Sequence, residues 1–282
     1  MIVISSSRLG RDADFSLMPE LFRPAIQTHV RHFGRFVRLA DGIADDATLT
    51  RDEKQARLDA LEAMLEGGPD ADWSDEASTV SRQMRESLRD SKATAEHALH
   101  VTHAFRNDIS GARVQTWDDL LAYCTHAASP IGRYMLDLTG EDPGVCGPAT
   151  DALCAALRIL KRLRDCKEPS AQYRRLCIPE KFMRDAFITT LHLQAPSAKG
   201  QTRAVIDRVL DGVDRLLVDA APLPRLIKSR GLSLHTAIVL CRARTLAQHF
   251  RARDPLNERV ELSGWERRKC KWLCKLRSFL PW

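Results

Sequence analysis

Aromatic residues are scarce in this chain. Phenylalanine, tryptophan and tyrosine make up 6% of its 282 residues, and only three are tyrosines. β-Branched residues occur in short, scattered runs, and neither feature suits a sheet-based core. No stretch of about 18 uncharged apolar residues exists, which excludes a membrane-spanning helix. Three apolar residues follow Met1 before the serines begin, too few for a secretory leader, so a cytoplasmic location is expected. The chain also lacks a GxGxxG turn, a Walker loop and a GxSxG elbow, which removes the common nucleotide-binding and serine-hydrolase signatures. No internal repeat or low-complexity linker divides it, so one domain over residues 1–282 is expected.

What is abundant points to helix: Leu, Ala, Arg, Glu and Asp dominate. The net charge of +6 is concentrated at one end. Arg267, Arg268, Lys269, Lys271, Lys275 and Arg277 face Glu266 alone in residues 265–282, while the rest of the chain is close to neutral. A general nucleic-acid-binding surface is therefore not expected. Of the eight cysteines, Cys124, Cys154 and Cys166 fall within helical patterns, where free Cys packs as a small hydrophobe. Cys270 and Cys274 lie one turn apart, without the second pair or histidine that a zinc site needs.

Periodicity gives helix after helix in an all-α chain. Ile26, Val30, Phe33, Val37 and Ala40 form one apolar face of a helix from Pro24 to about Asp45. Others are expected at about 51–66, 74–90 and 94–107. The next, capped at Thr116, runs through a kink at Pro130 to about Leu138. Residues 140–148 read as a loop, followed by a helix over about 150–167 and another opening at Pro179. Further helices are expected at about 202–220, 233–253 and 263–279. His97, His100 and His103 recur every three residues, which rotates them around a helix instead of stacking them for a metal.

Asp41 and Asp45 are four apart and continue the face of Phe33 and Val37. Carboxylates that extend an apolar stripe are costly unless paired or metal-bound. Mg²⁺ with diphosphate oxygens would relieve that cost; an acidic, solvated helix end is the plain alternative. Asp165 is in phase with Leu157 and Lys161 on a basic helix end. Tyr123 to Arg133 combines a phenol, small residues and Pro130, which suits close approach to a ligand or to another helix.

Taken together, these segments resemble the squalene/phytoene synthase family. Phe36-Val37-Arg38-Leu39-Ala40-Asp41-Gly42-Ile43-Ala44-Asp45-Asp46 is similar to its first Asp-rich motif, and Tyr123 to Arg133 to its central segment. Asp165-Cys166-Lys167-Glu168 with Arg175-Leu176-Cys177-Ile178-Pro179 is similar to its second Asp-rich motif and the string that follows. Asp14 to Pro19 and Asp254-Pro255-Leu256 bring the bacterial hopanoid-pathway branch of hydroxysqualene synthase type nearest. The resemblance implies a helical bundle with a central cavity and a prenyl diphosphate substrate. It implies Asp41, Asp45 and Asp165 as Mg²⁺ ligands, Arg38 and Arg175 on the diphosphate, and Tyr123 beside the reacting carbons. Asp41, Asp45 and Tyr123 would be the catalytic set. The implied chemistry is metal-assisted loss of diphosphate followed by carbocation steering.

Departures cluster at the site. Gly34, Gly42, Lys161, Pro169 and Cys177 stand where the family usually has Tyr, Asp, Asn, Asp and Tyr. Lys161, one turn before Asp165, is expected to pair with it and stand in for a cation, and with Pro169 to weaken Mg²⁺ binding. Two functions stay open: an enzyme of squalene or hopanoid formation, and a non-catalytic paralogue that binds lipid or assists assembly.

The tail is a motif of its own. Behind a Ser263 cap, Trp265, Trp272, Leu276 and Phe279 make one apolar stripe with Lys271 and Lys275 on one flank and Arg267 and Lys269 farther round. Such a helix suits peripheral contact with the inner membrane face through residues 263–282. The alternative is a terminal helix packed on the bundle by that stripe.

Overall fold

The computed structural model describes residues 17–91, 93–110, 114–165 and 178–278. No strand occurs among them. After a 3₁₀ turn at Pro19–Leu21, the helices are α1 (Pro24–Asp45), α2 (Arg51–Leu65), α3 (Asp75–Asp90), α4 (Glu96–Ser110), α5 (Trp117–Ala127), α6 (Ser129–Thr139) and α7 (Pro143–Arg164). They continue with α8 (Glu180–Asp185), α9 (Gln201–Asp219), α10 (Leu223–Leu226), α11 (Arg230–Ala252) and α12 (Gly264–Ser278).

Local chemistry sets most of the starts. Thr50 with Glu53 and Thr116 with Asp119 close capping boxes at α2 and α5, and Ser74 caps α3. At α12, Ser263 Oγ accepts from the Glu266 backbone N–H at 3.2 Å, and the Glu266 carboxylate accepts from the Ser263 N–H at 2.8 Å.

Two expectations change. The helix expected to kink at Pro130 is broken into α5 and α6 at Ala128, whose φ of −133° is not helical. Pro130 lies in the first turn of α6, where its missing N–H costs nothing. The expected 140–148 loop is shorter. Asp142 Oδ1 accepts from the Gly144 N–H at 2.8 Å, and α7 starts at Pro143 and carries Pro148 inside it. The capping aspartate plus a proline at the first helical position outweighs the loop-like composition.

The core is continuous from end to end of the bundle. α1 packs on α2, α3, α4 and α6, and α7 packs on α5, α6, α9 and α11. Phe33 of α1 stacks on Tyr134 of α6 with centroids 3.8 Å apart. α6 and α7 approach each other closely. A side chain at Gly132 would run into Thr150 Cγ2 and lie 2.7 Å from Cys154 Sγ. The small residue near Pro130 thus serves helix-to-helix contact. The histidines of α4 disperse as their spacing requires: His97 Nε2 meets Asp137 at 2.8 Å, and His103 Nε2 meets Glu62 at 3.4 Å.

Candidate functional site

Three helices bring the site together. α1 carries Arg38, Asp41 and Asp45 on its last two turns, α5 carries Tyr123, and the last two turns of α7 carry Arg158, Lys161 and Arg162, with Asp165 following. The apolar stripe of Val30, Phe33, Phe36, Ala40 and Ile43 anchors α1 and fixes how Asp41 points. Leu153, Ala156, Ile159, Leu160 and Leu163 do the same for α7.

Asp41 and Lys161 make the central contact. Lys161 Nζ donates to Asp41 Oδ2 at 2.9 Å, bridging α1 and α7. Both side chains are about one-fifth exposed, so the pair is only partly shielded from water. Burial is the largest single influence and pushes the Asp41 carboxyl up, but the Lys161 ammonium, Arg158 and Arg162 jointly outweigh it. Together they hold Asp41 below the usual carboxylate range. Asp41 is therefore ionised in the presence of three cations.

Those cations share a face because residues 158, 161 and 162 are three and four apart. Arg158 and Arg162 are nearly buried, at 9% and 7% exposure. Both hold the phenol of Tyr123. Its oxygen accepts from Arg158 Nη2 at 2.7 Å and Nε at 3.2 Å, and from Arg162 Nη2 at 3.3 Å. The Arg158 guanidinium also lies 5.7 Å from the ring centroids of Tyr123 and Phe105. Like charges gathered in a half-buried place are costly alone and make a strong seat for a multivalent anion. Guanidinium pairs present the forked donors that phosphate oxygens match.

The remaining sequence-derived residues are placed as follows. Asp165 ends α7. Arg164 Nε donates to it at 3.2 Å, and an Arg259 nitrogen lies 3.6 Å from the same oxygen. Lys161, expected beside Asp165, reaches across to Asp41. Arg38 is exposed on α1, one turn before Asp41, and Asp45 is half-buried one turn after it. Arg175 and Pro169 lie outside the described residues, as does Glu168. Arg158, Arg162 and Arg259 were not singled out from sequence. The spacing of 158, 161 and 162 was the available signal for the first two. Arg259 is distant in sequence and had none.

The carboxylates do not fit a preassembled magnesium cluster. Asp41 already receives an ammonium, and Asp165 lies against two guanidinium groups. Among the described residues no group of three or more His, Cys, Asp or Glu side chains is placed to hold a metal. The missing second aspartate of the first motif has no packing cause, since a Cβ on Gly42 would meet nothing within 4 Å.

Known proteins supply the context. A family model described as squalene/phytoene synthase matches residues 10–266. The hydroxysqualene synthase of Sinorhizobium fredii is 32% identical over 261 residues, 93% of this chain and 87% of the relative. That of Rhodopseudomonas palustris is 31% identical over 263 residues, 93% and 88% of the two chains. Among solved structures, a dehydrosqualene synthase in complex with a ligand superposes with a TM-score of 0.78 at 20% identity, covering 97% of this chain and 95% of that one. A squalene synthase from Alicyclobacillus acidocaldarius gives 0.65 at 20% identity, with 86% and 95% covered. These structural matches share the all-helical fold. With its motifs in order and nearly its whole length matched, this chain belongs to the squalene/phytoene synthase family, beside the bacterial hydroxysqualene synthases, and is a prenyl transferase of that type.

Proposed function

We propose that the protein is a head-to-head prenyltransferase of hydroxysqualene synthase type, acting on farnesyl or presqualene diphosphate in squalene or hopanoid formation. The observation that carries this reading is the convergence of Lys161, Arg158 and Arg162 on Asp41 and Tyr123. The diphosphate is received by these side-chain cations. Its carbon–oxygen bond breaks, the electron pair leaves with the diphosphate, and the cations take up the developing charge. On the carbon side a cation remains. The ring of Tyr123 is the aromatic at hand to stabilise it. Arg158 holds the phenol and lies near the same ring, so its turning toward the incoming phosphate frees the ring for the carbocation. Water then adds to that carbocation to give an alcohol, with loss of a proton.

The test is incubation of pure protein with presqualene, farnesyl or geranylgeranyl diphosphate, each with and without Mg²⁺, followed by extraction. A C30 alcohol from presqualene diphosphate is expected. Folded protein that yields no product from any of the three would overturn the reading and favour a lipid-binding paralogue.

A further inference from the structure

α12 is amphipathic the wrong way round for a helix that packs by its apolar face. Its bundle side carries Cys270, only 4% exposed, whose sulfur lies 2.8 Å from Cys241 of α11. The polar groups of that side are tied down. Lys271 Nζ donates to Glu20 at 2.8 Å, Arg267 Nη1 to the Leu262 carbonyl at 2.7 Å, and Glu266 meets His249 Nε2 at 2.9 Å. The apolar stripe faces outward. Trp265, Trp272 and Leu276, spaced seven and four residues apart, are 66%, 62% and 48% exposed. Leu273 beside them is 37% exposed.

Basic residues edge this stripe on both sides. At about 100° per residue, Arg268 and Lys275 fall on one flank and Lys269 on the other. All three are exposed, and the Lys269 ammonium lies 4.9 Å from the Trp265 ring centroid. Glu266, turned to the bundle, is the one acidic residue of the helix. Exposed tryptophans of this kind suit a partner that takes an indole and an aliphatic chain, and the exposed basic flanks suit an anionic one.

From this geometry we infer that α12 is a docking face for an anionic phospholipid surface, lying in the headgroup layer with Trp265, Trp272 and Leu276 inserted. A helix parallel to the surface meets acyl chains with its stripe and headgroup phosphates with both flanks. A second copy of this chain is the poorer occupant, because both flanks of the stripe are basic and a two-fold contact would bring basic flank against basic flank. The contact does not cross the bilayer: no helix among the described residues is long and apolar enough to span it. The inference is independent of the reaction assigned to the site.

The experiment is cosedimentation of the full chain with vesicles of phosphatidylcholine alone and of phosphatidylcholine mixed with phosphatidylglycerol, at low and high salt. Trp265→Ser with Trp272→Ser is compared with wild type, and Phe187→Ser, at another exposed aromatic, is the control. Wild type and the control should pellet with the anionic vesicles, and the double variant should bind about tenfold less with its melting temperature unchanged. High salt should weaken wild-type binding. Tryptophan emission of the wild type should shift to the blue on binding. Equal pelleting of wild type and double variant, equal loss in Phe187→Ser, or no pelleting of wild type would overturn the inference. A wild-type dimer that becomes monomeric in the double variant would replace the membrane with a second copy.

Discussion

Lys161 is the residue on which the site turns. Its side chain can act as a fixed monovalent cation at a carboxylate that would otherwise face a metal. Lys161→Asn should remove one charge-assisted contact, each about 1.5–3 kcal/mol, and so weaken metal-free pyrophosphate binding about tenfold or more. The same change frees Asp41 and should make the remaining affinity depend on Mg²⁺. Calorimetric titration with inorganic pyrophosphate, in chelator and in Mg²⁺, reads both effects. A wild type that binds nothing without Mg²⁺ would show that the cations do not form a seat. The acidic pair Asp41 and Asp45 was legible in the sequence, because helical spacing extends the core stripe to them. That Lys161 meets Asp41 was not, since 120 residues separate them and local spacing pointed to Asp165.

Helix against helix, the tight contact is α6 on α7 at Gly132, on the same helix α7 that carries Arg158, Lys161 and Arg162. Gly132→Ala places a methyl against Thr150 and Cys154, an overpacking that costs about 1–3 kcal/mol. Its melting temperature should fall. Adding Thr150→Ser and Cys154→Ala, which removes the two obstructing atoms, should recover part of the loss. A Gly132→Ala protein as stable as wild type would mean that the helices separate at no cost. The sequence showed small residues beside a proline here but not which helix they admit. The break at Ala128 likewise exceeds the expected kink, because Pro130 starts a new helix instead of bending an old one.

Acid stability belongs to the whole molecule, because its clearest reporter is sealed where α11 meets the N-terminal turn. His235 is buried with its ring 6.0 Å from that of Phe22, and its Nδ1 has no hydrogen-bond partner. Burial, with Arg242 nearby, pushes its pKa down to about 4. The unfolded chain takes up this proton near the ordinary value of 6.5 and the folded chain does not, so stability falls as pH drops from 6.5 toward 4 and then levels. The loss amounts to about 3 kcal/mol over that window. Urea unfolding at pH 7 and pH 5 should show a smaller difference in His235→Phe than in wild type. Equal pH dependence in both would assign the acid sensitivity to other groups.

The sequence by itself determined the all-helical class, most helix starts, the family and the first acidic motif, because caps, periodicity and i, i+4 spacing are local and act within one or two turns. Only the tertiary structure decided which charges meet. Asp41 found Lys161, Tyr123 found two arginines, Asp165 met Arg259, and the tryptophans of α12 turned outward. An amphipathic pattern states that a helix has two faces. Which face is buried depends on what the neighbouring helix offers, and at α12 the groups offered by α11 and the N-terminal turn are Cys241, His249 and Glu20.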